Sequence, residues 1–288
     1  MTPRVLLAIV RLTIREVVRR RIVWVLVGLS VVSVALVGWG VERLVSLARE
    51  EGLGTIEITI GVSQVLILVA FMFSFVLAMS AAFLAAPAIA ADVESGTILA
   101  LLARPVRRSE LVFGRWLGLA AIVTGYTILS GALAIAVVAA IGGYVPPEPV
   151  LALAFLAAQA LTVLTFALAL GTRLPSIAAG AVTVVVFGLG WFAGVLGNLA
   201  VAFDAGPLAA GTDLVRVLFP SDGLWRGAIY GLEPPLVLLV AAGRGSQALE
   251  ATPFFSPAPP PVEFVAWSVA WIVLVLAAGI ALFRRREL

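Results

Sequence analysis

The residue types available to do chemistry in this chain are few. It has no Cys and no His, and its nineteen basic residues are all Arg. That removes disulfides, thiolate metal sites, a Cys nucleophile, the usual imidazole base and the commonest metal ligand. It also removes a Schiff base and any phosphate loop ending in Gly-Lys-Ser/Thr, so ATP would have to be bound by another chain. On the side assigned below as outer, Asp204, Asp213 and Asp222 are the cluster from which an interfacial acid/base pair could be built. A second charged block is different in kind. In "DVESGTILALLARPVRRSE", Asp92 to Glu110, Asp92 and Glu94 precede an apolar turn and Arg104, Arg107 and Arg108 follow it. Acids suit a helix N-terminus. Ile98, Leu101 and Leu102 then share an apolar face, and Pro105 stops the helix because the residue before a proline resists that conformation. A loop facing lipid has use for the arginines and none for the acids; a protein partner could use both.

The elements that carry this block follow from composition. The chain has 288 residues, 62% of them hydrophobic and 12% charged, with mean hydropathy +1.15. A soluble domain carries about 25% charged residues, so the bilayer is the expected solvent. Six runs approach or exceed the roughly 20 apolar residues a spanning helix needs: 22–40, 61–87, 111–141, 150–171, 174–202 and 264–283. The first is too long for a signal-peptide core and reads as a retained anchor. With the N-terminus inside, fourteen of the nineteen arginines fall on the inner side and eleven of the sixteen acids on the outer, +9 against −6. The positive-inside rule therefore puts both termini in the cytoplasm. Residues 1–21 form an amphipathic segment whose Arg4, Arg11, Arg15 and Arg19 lie on one stripe, as expected of a helix in the headgroup plane. Residues 203–263 form a large outer loop, expected to hold short helices, a half-length apolar piece from Pro235 to Gly243 and a proline-rich tail. Gly190 and Gly194 favour close helix packing. Charge within the spans is almost nil, which argues against a proton relay or an intramembrane hydrolase.

"ESGTILALLARPVRRSELVFGRWLG" resembles the hallmark of ABC exporter permeases of the ABC-2 type. The family pattern falls on Glu94, Gly96, Thr97, Leu101, Leu102, Pro105, Arg107, Arg108, Gly114 and Arg115, with Arg115 standing where Lys is usual. The N-terminal stripe is similar to the family's elbow helix. "FPSDGLWRGAIYG" and "LFRRREL" are similar to segments of its nitrous-oxide-reductase-maturation and multidrug subgroups.

The resemblance implies an all-α integral membrane protein forming one domain over 1–288: an elbow helix, six spans, and a short cytoplasmic coupling helix in 92–110 between spans two and three. It implies a permease subunit of an ATP-driven exporter in the cell membrane, paired with a second permease copy or a relative and with cytosolic ATPase subunits that hold ATP and Mg. Asp92, Glu94, Gly96, Thr97, Leu101, Leu102, Arg104, Pro105, Arg107 and Arg108 would form the ATPase-coupling element. Catalytic, cofactor and metal residues are expected to be none, and no nucleic-acid partner is expected. A membrane scaffold and a membrane enzyme acting on lipid are the alternatives, the latter having only the three aspartates to work with.

Overall fold

The computed structural model describes residues 3–19, 21–98, 107–203, 205–235, 237 and 252–287. Among these there are ten helices and no strands. They are α1 (Pro3–Arg19), α2 (Arg21–Glu50), α3 (Thr55–Ala85), α4 (Pro87–Glu94), α5 (Arg108–Gly142), α6 (Pro149–Gly171), α7 (Ser176–Ala202), α8 (Gly206–Leu218), α9 (Ser221–Leu232) and α10 (Val262–Arg284). Six stretches are long and apolar enough to cross a membrane, within α2, α3–α4, α5, α6, α7 and α10.

The helices alternate in direction. Contacts between residues 16, 92, 108, 115, 173, 176 and 284–286 gather both chain ends at one end of the bundle, called here the terminal end. Contacts linking Tyr144 to Leu232, Glu148 to Gly231 and Asn198 to Thr252 mark the opposite, far end. α6 is the central post. Its run from Phe155 to Leu168 is buried around almost its whole circumference, as a helix hydrophobic on all sides requires. The hydroxyls on it are satisfied locally: Thr162 and Thr165 donate to the carbonyls four residues back, and Thr165 accepts from Trp116 Nε1 at 2.8 Å.

α3 and α4 form one rod, 40 residues from Thr55 to Glu94. At 1.5 Å per residue that is about 60 Å, twice the hydrocarbon thickness, so it stands clear of a bilayer. The joint is Ala86–Pro87. Pro87 lies at the first position of α4, where its missing N–H is tolerated. Gly171 of α6 packs on the Ala86 carbonyl so closely that a Cβ there would lie 2.4 Å from the oxygen. α2 continues to Glu50, ten residues past the expected run, because "VERLVSLARE" is rich in helix formers.

The segment between the fifth and sixth spans does hold short helices, and they reach deeper than the ends of the spans. α8 turns back along α7, setting Thr212 and Arg216 against Gly197 and Phe219 against Gly190. Gly190 is twelve residues before the end of α7, about 18 Å of helix. α9 then climbs back along α6, from Gly227 over Phe155 to Gly231 over Glu148 and Ala152. The turn between them is fixed by Phe219, which packs edge-on to Phe166 and Trp271, and by Trp267 and Trp271, whose indoles donate to the Val217 and Leu218 carbonyls. The hairpin is thus inserted among α6, α7 and α10. Of the apolar piece 235–243, Val237 is buried with Phe255 and Ile60; residues 236 and 238–243 lie outside the described residues.

Candidate functional site

At the terminal end the site grows from the tip of α4. The helix stops at Ser95, whose N–H donates to the Ala91 carbonyl, and Gly96 follows with φ +74°. Only glycine enters this left-handed region without strain, so Gly96 is the post-helix cap that lets the chain turn and restart a helix at Thr97. Thr97 Oγ1 donates back to the Asp92 carbonyl at 3.2 Å and closes the corner. Ile98 is buried against the main core. Leu101, Leu102, Arg104 and Pro105 lie outside the described residues.

The two acids before the corner point to different parts of the chain. Asp92 Oδ2 accepts from Arg115 Nη2 at 2.6 Å, and Glu16 Oε2 of α1 accepts from Arg115 Nη1 at 2.5 Å. Arg115 is 6% exposed, so one buried guanidinium joins α1, α4 and α5 by charge-assisted bonds. Glu94 Oε1 accepts from the Ser176 N–H at 2.7 Å, and Ser176 Oγ donates to Oε2 at 3.1 Å. This carboxylate therefore caps the first turn of α7, satisfying a backbone donor that the helix cannot pair itself and facing its positive dipole end.

The remaining basic residues of the block divide in two. Arg107 is exposed, and its backbone N–H donates to Glu110 Oε2 at the start of α5. Arg108 turns to the end of α10 and donates to the Arg284 and Arg286 carbonyls at 3.2 and 2.5 Å. Arg173 donates to the Leu282 carbonyl and Arg286 to that of Thr172. Arg108 and Arg173 thus close the C-terminal end of the last span, and Arg286 closes that of α6. The pairing roles of Glu16, Ser176 and Arg173 carry no sequence signal beyond ordinary flanking polarity. Arg115 had one: a lone charge within the apolar run 111–141.

The arginine stripe of α1 faces away from the bundle. Arg4, Arg11, Arg15 and Arg19 are exposed, while Ile9, Thr13 and Val17 are buried. Gly114 and Gly118 of α5 make the seat: a Cβ on Gly114 would sit 2.7 Å from Ile9, and one on Gly118 2.8 Å from Thr13. The Gly-Arg pair at 114–115 therefore does two things, admitting α1 and then pinning it through Glu16.

At the far end the inserted hairpin carries charge to a depth where the spans have none. Asp222 Oδ2 accepts from Arg216 Nε at 3.0 Å and Arg226 Nε at 3.1 Å. Arg226 Nη2 also donates to the Gly194 carbonyl at 3.1 Å and to Asn198 Oδ1. Asp222 is 5% exposed and lies on Gly194, where a Cβ would be 1.9 Å from its Oδ1. Gly190, Gly194 and Gly197 are thus a packing face for the hairpin, and α7 runs through Gly197–Asn198 unbroken. Asp213 is exposed and pairs with Arg216 at 3.0 Å; Asp204 lies outside the described residues. Asp213 and Asp222 are thus both engaged in ion pairs. Segment 252–256 straps this end, through Asn198 to the Thr252 carbonyl, Trp225 to the Pro253 carbonyl, and the Ser256 N–H to Glu233 Oε2. Burial pushes the Glu233 carboxyl up to about 8, with the Ser256 N–H opposing. Burial, with the Glu233 charge adding, pushes the Tyr144 phenol up as well.

Among the described residues no group of three metal-ligating acids occurs. The chain matches the family described as ABC-2 family transporter protein over residues 7–288, nearly its whole length, and so belongs to that family. It is a multi-pass membrane protein of the transport class. No curated protein matches it.

Proposed function

We propose, from this membership, that the chain is the membrane subunit of an ATP-driven exporter of the cell membrane, acting with a second permease copy or relative and with separate cytosolic ATPase subunits. The terminal end of the bundle faces the cytoplasm in this reading, and the coupling segment 92–110 meets the ATPase through its part beyond Gly96. The observation that carries it is the position of that segment. It follows a rod too long for the bilayer, on the side to which the sequence pattern assigns fourteen of the nineteen arginines, in a chain that matches the permease family over 7–288. ATP binding belongs to the partner because no Lys-bearing phosphate loop can exist here. The face offered to the partner comprises Thr97, exposed Arg107 and the stretch between them, including Leu101, Leu102, Arg104 and Pro105. The test is isolation of the intact complex from native membrane. A co-purifying subunit with a Gly-Lys-Ser/Thr phosphate loop is expected. Saturable ATP binding by this chain alone, with no such subunit present, refutes the reading.

A further inference from the structure

We propose that Asp92 and Glu94 are the two arms of an internal yoke, which divides the motion of the coupling segment between two moving parts of the bundle. The inference rests on the functional reading above and changes the part played by these acids. Residues two apart on a helix lie about 200° apart around its axis, so the arms leave the tip of α4 on opposite sides. The Asp92 arm ends on Arg115, which is bonded in turn to Glu16 of α1; pulling it moves the elbow and the third span together. The Glu94 arm ends on the backbone N–H and hydroxyl of Ser176, the first residue of α7; pulling it moves the fifth span.

The hinge between the arms and the proposed docking segment is the corner at Ser95–Gly96, held by the Thr97 hydroxyl on the Asp92 carbonyl. Both arms are anchored before the corner, and Thr97 and Arg107 of the proposed docking face lie after it. A displacement of this segment therefore reaches the tip of α4 through the corner, beside the segment's own contacts at Ile98 and Arg108. α7 also carries the inserted hairpin on Gly190, Gly194 and Gly197. The Glu94 arm thus has a continuous path of close contacts to the far end, whereas the Asp92 arm leads to the elbow. Both acids are positioning residues: they act through Arg115 and Ser176.

The experiment uses the complete complex. The chain has no cysteine, so spin-label pairs can be introduced freely. Val150, exposed at the start of the central post α6, is the fixed reference. Ile177, exposed in the first turn of α7, reports the fifth span, and Leu12, exposed on α1, reports the elbow. Each pair is measured by pulsed dipolar spectroscopy before and after addition of ATP with vanadate. Glu94→Ala should abolish the shift of the Ile177 pair and leave the Leu12 pair moving; Asp92→Ala should do the reverse. Both variants should keep the ATPase through purification. Ser176→Pro isolates the arm from the other side. It removes both donors at a first-turn position that accepts proline, leaves Glu94 intact, and should reproduce Glu94→Ala.

Loss of the ATPase from either acid variant, with Ser176→Pro silent, returns the acids to the partner interface and overturns the inference. Wild-type-like shifts in all three variants overturn it as well, as do equal losses at both pairs. A wild-type complex that retains its ATPase yet shows no nucleotide-driven shift also counts against the yoke. A wild-type chain that captures no ATPase instead sinks the functional reading, and the yoke with it.

Discussion

Replacing Asp222 by Asn should loosen the inserted hairpin far more than any other single acid on it. The Asp222 side chain is 5% exposed and neutralises two guanidiniums, at 3.0 Å from Arg216 and 3.1 Å from Arg226, which are themselves 21% and 22% exposed. Removing one partner of a buried, hydrogen-bonded ion pair costs about 3–5 kcal/mol, because the other charge is left unpaired. The arginines keep some access to solvent and Arg226 keeps its bonds to Gly194 and Asn198, so the lower end applies. About 3 kcal/mol is roughly a hundredfold in the unfolding constant, and about 5–10 °C in Tm for a chain of this size. Asp213→Asn is the matched control. Its ion pair with Arg216 has the same 3.0 Å length, but its side chain is 68% exposed, so its loss should cost under about 1 kcal/mol. Thermal unfolding of both variants in lipid nanodiscs, beside the wild type, gives the comparison. Equal shifts for Asp222→Asn and Asp213→Asn, or none for Asp222→Asn, would refute the placement of this cluster against α7.

Glu233 gives a pH dependence. Its carboxyl is raised by burial from an ordinary 4.5 to about 8, so the folded state holds its proton more tightly than the unfolded chain. The associated stability is complete below about pH 4.5 and is lost as pH rises through about 8. Glu233→Gln should therefore match the wild type in acid and unfold at higher temperature near pH 9, as thermal scans across that range will show. Gly114→Leu should unseat α1: its Cβ alone would meet Ile9 at 2.7 Å, and protease cleavage after Arg11 or Arg15 in detergent should speed up relative to wild type. For orientation, single cysteines at Ala258 and Ser109 can be labelled with an impermeant maleimide on intact cells. Ala258 should react and Ser109 should not, and the opposite pattern inverts the topology.

The sequence made the six apolar helices legible because each must satisfy its own backbone in lipid, and a long uncharged run has no other stable form there. The hairpin's depth was not legible for a related reason. Asp222, Arg216 and Arg226 read as surface charges, and only their mutual pairing on a glycine face of α7 allows burial. The charged block 92–110 stands out in the sequence, but the destination of its acids does not. Glu94 at the cap of α7 depends on Ser176, eighty-two residues on, and Asp92 on a buried Arg115 shared with α1. Long-range pairings of this kind leave no periodicity behind. Gly96 shows the converse: its place directly after the helix end is a local signal with a local cause, a positive φ.

The most direct test of the central claim is photocrosslinking at the proposed docking face in native membranes. A photoreactive amino acid at exposed Arg107 should capture an ATPase polypeptide in good yield, whereas the same group at Glu51, at the far end between α2 and α3, should capture none. Capture of the ATPase from Glu51 and not from Arg107, or from neither position in a complex known to contain it, would contradict the account.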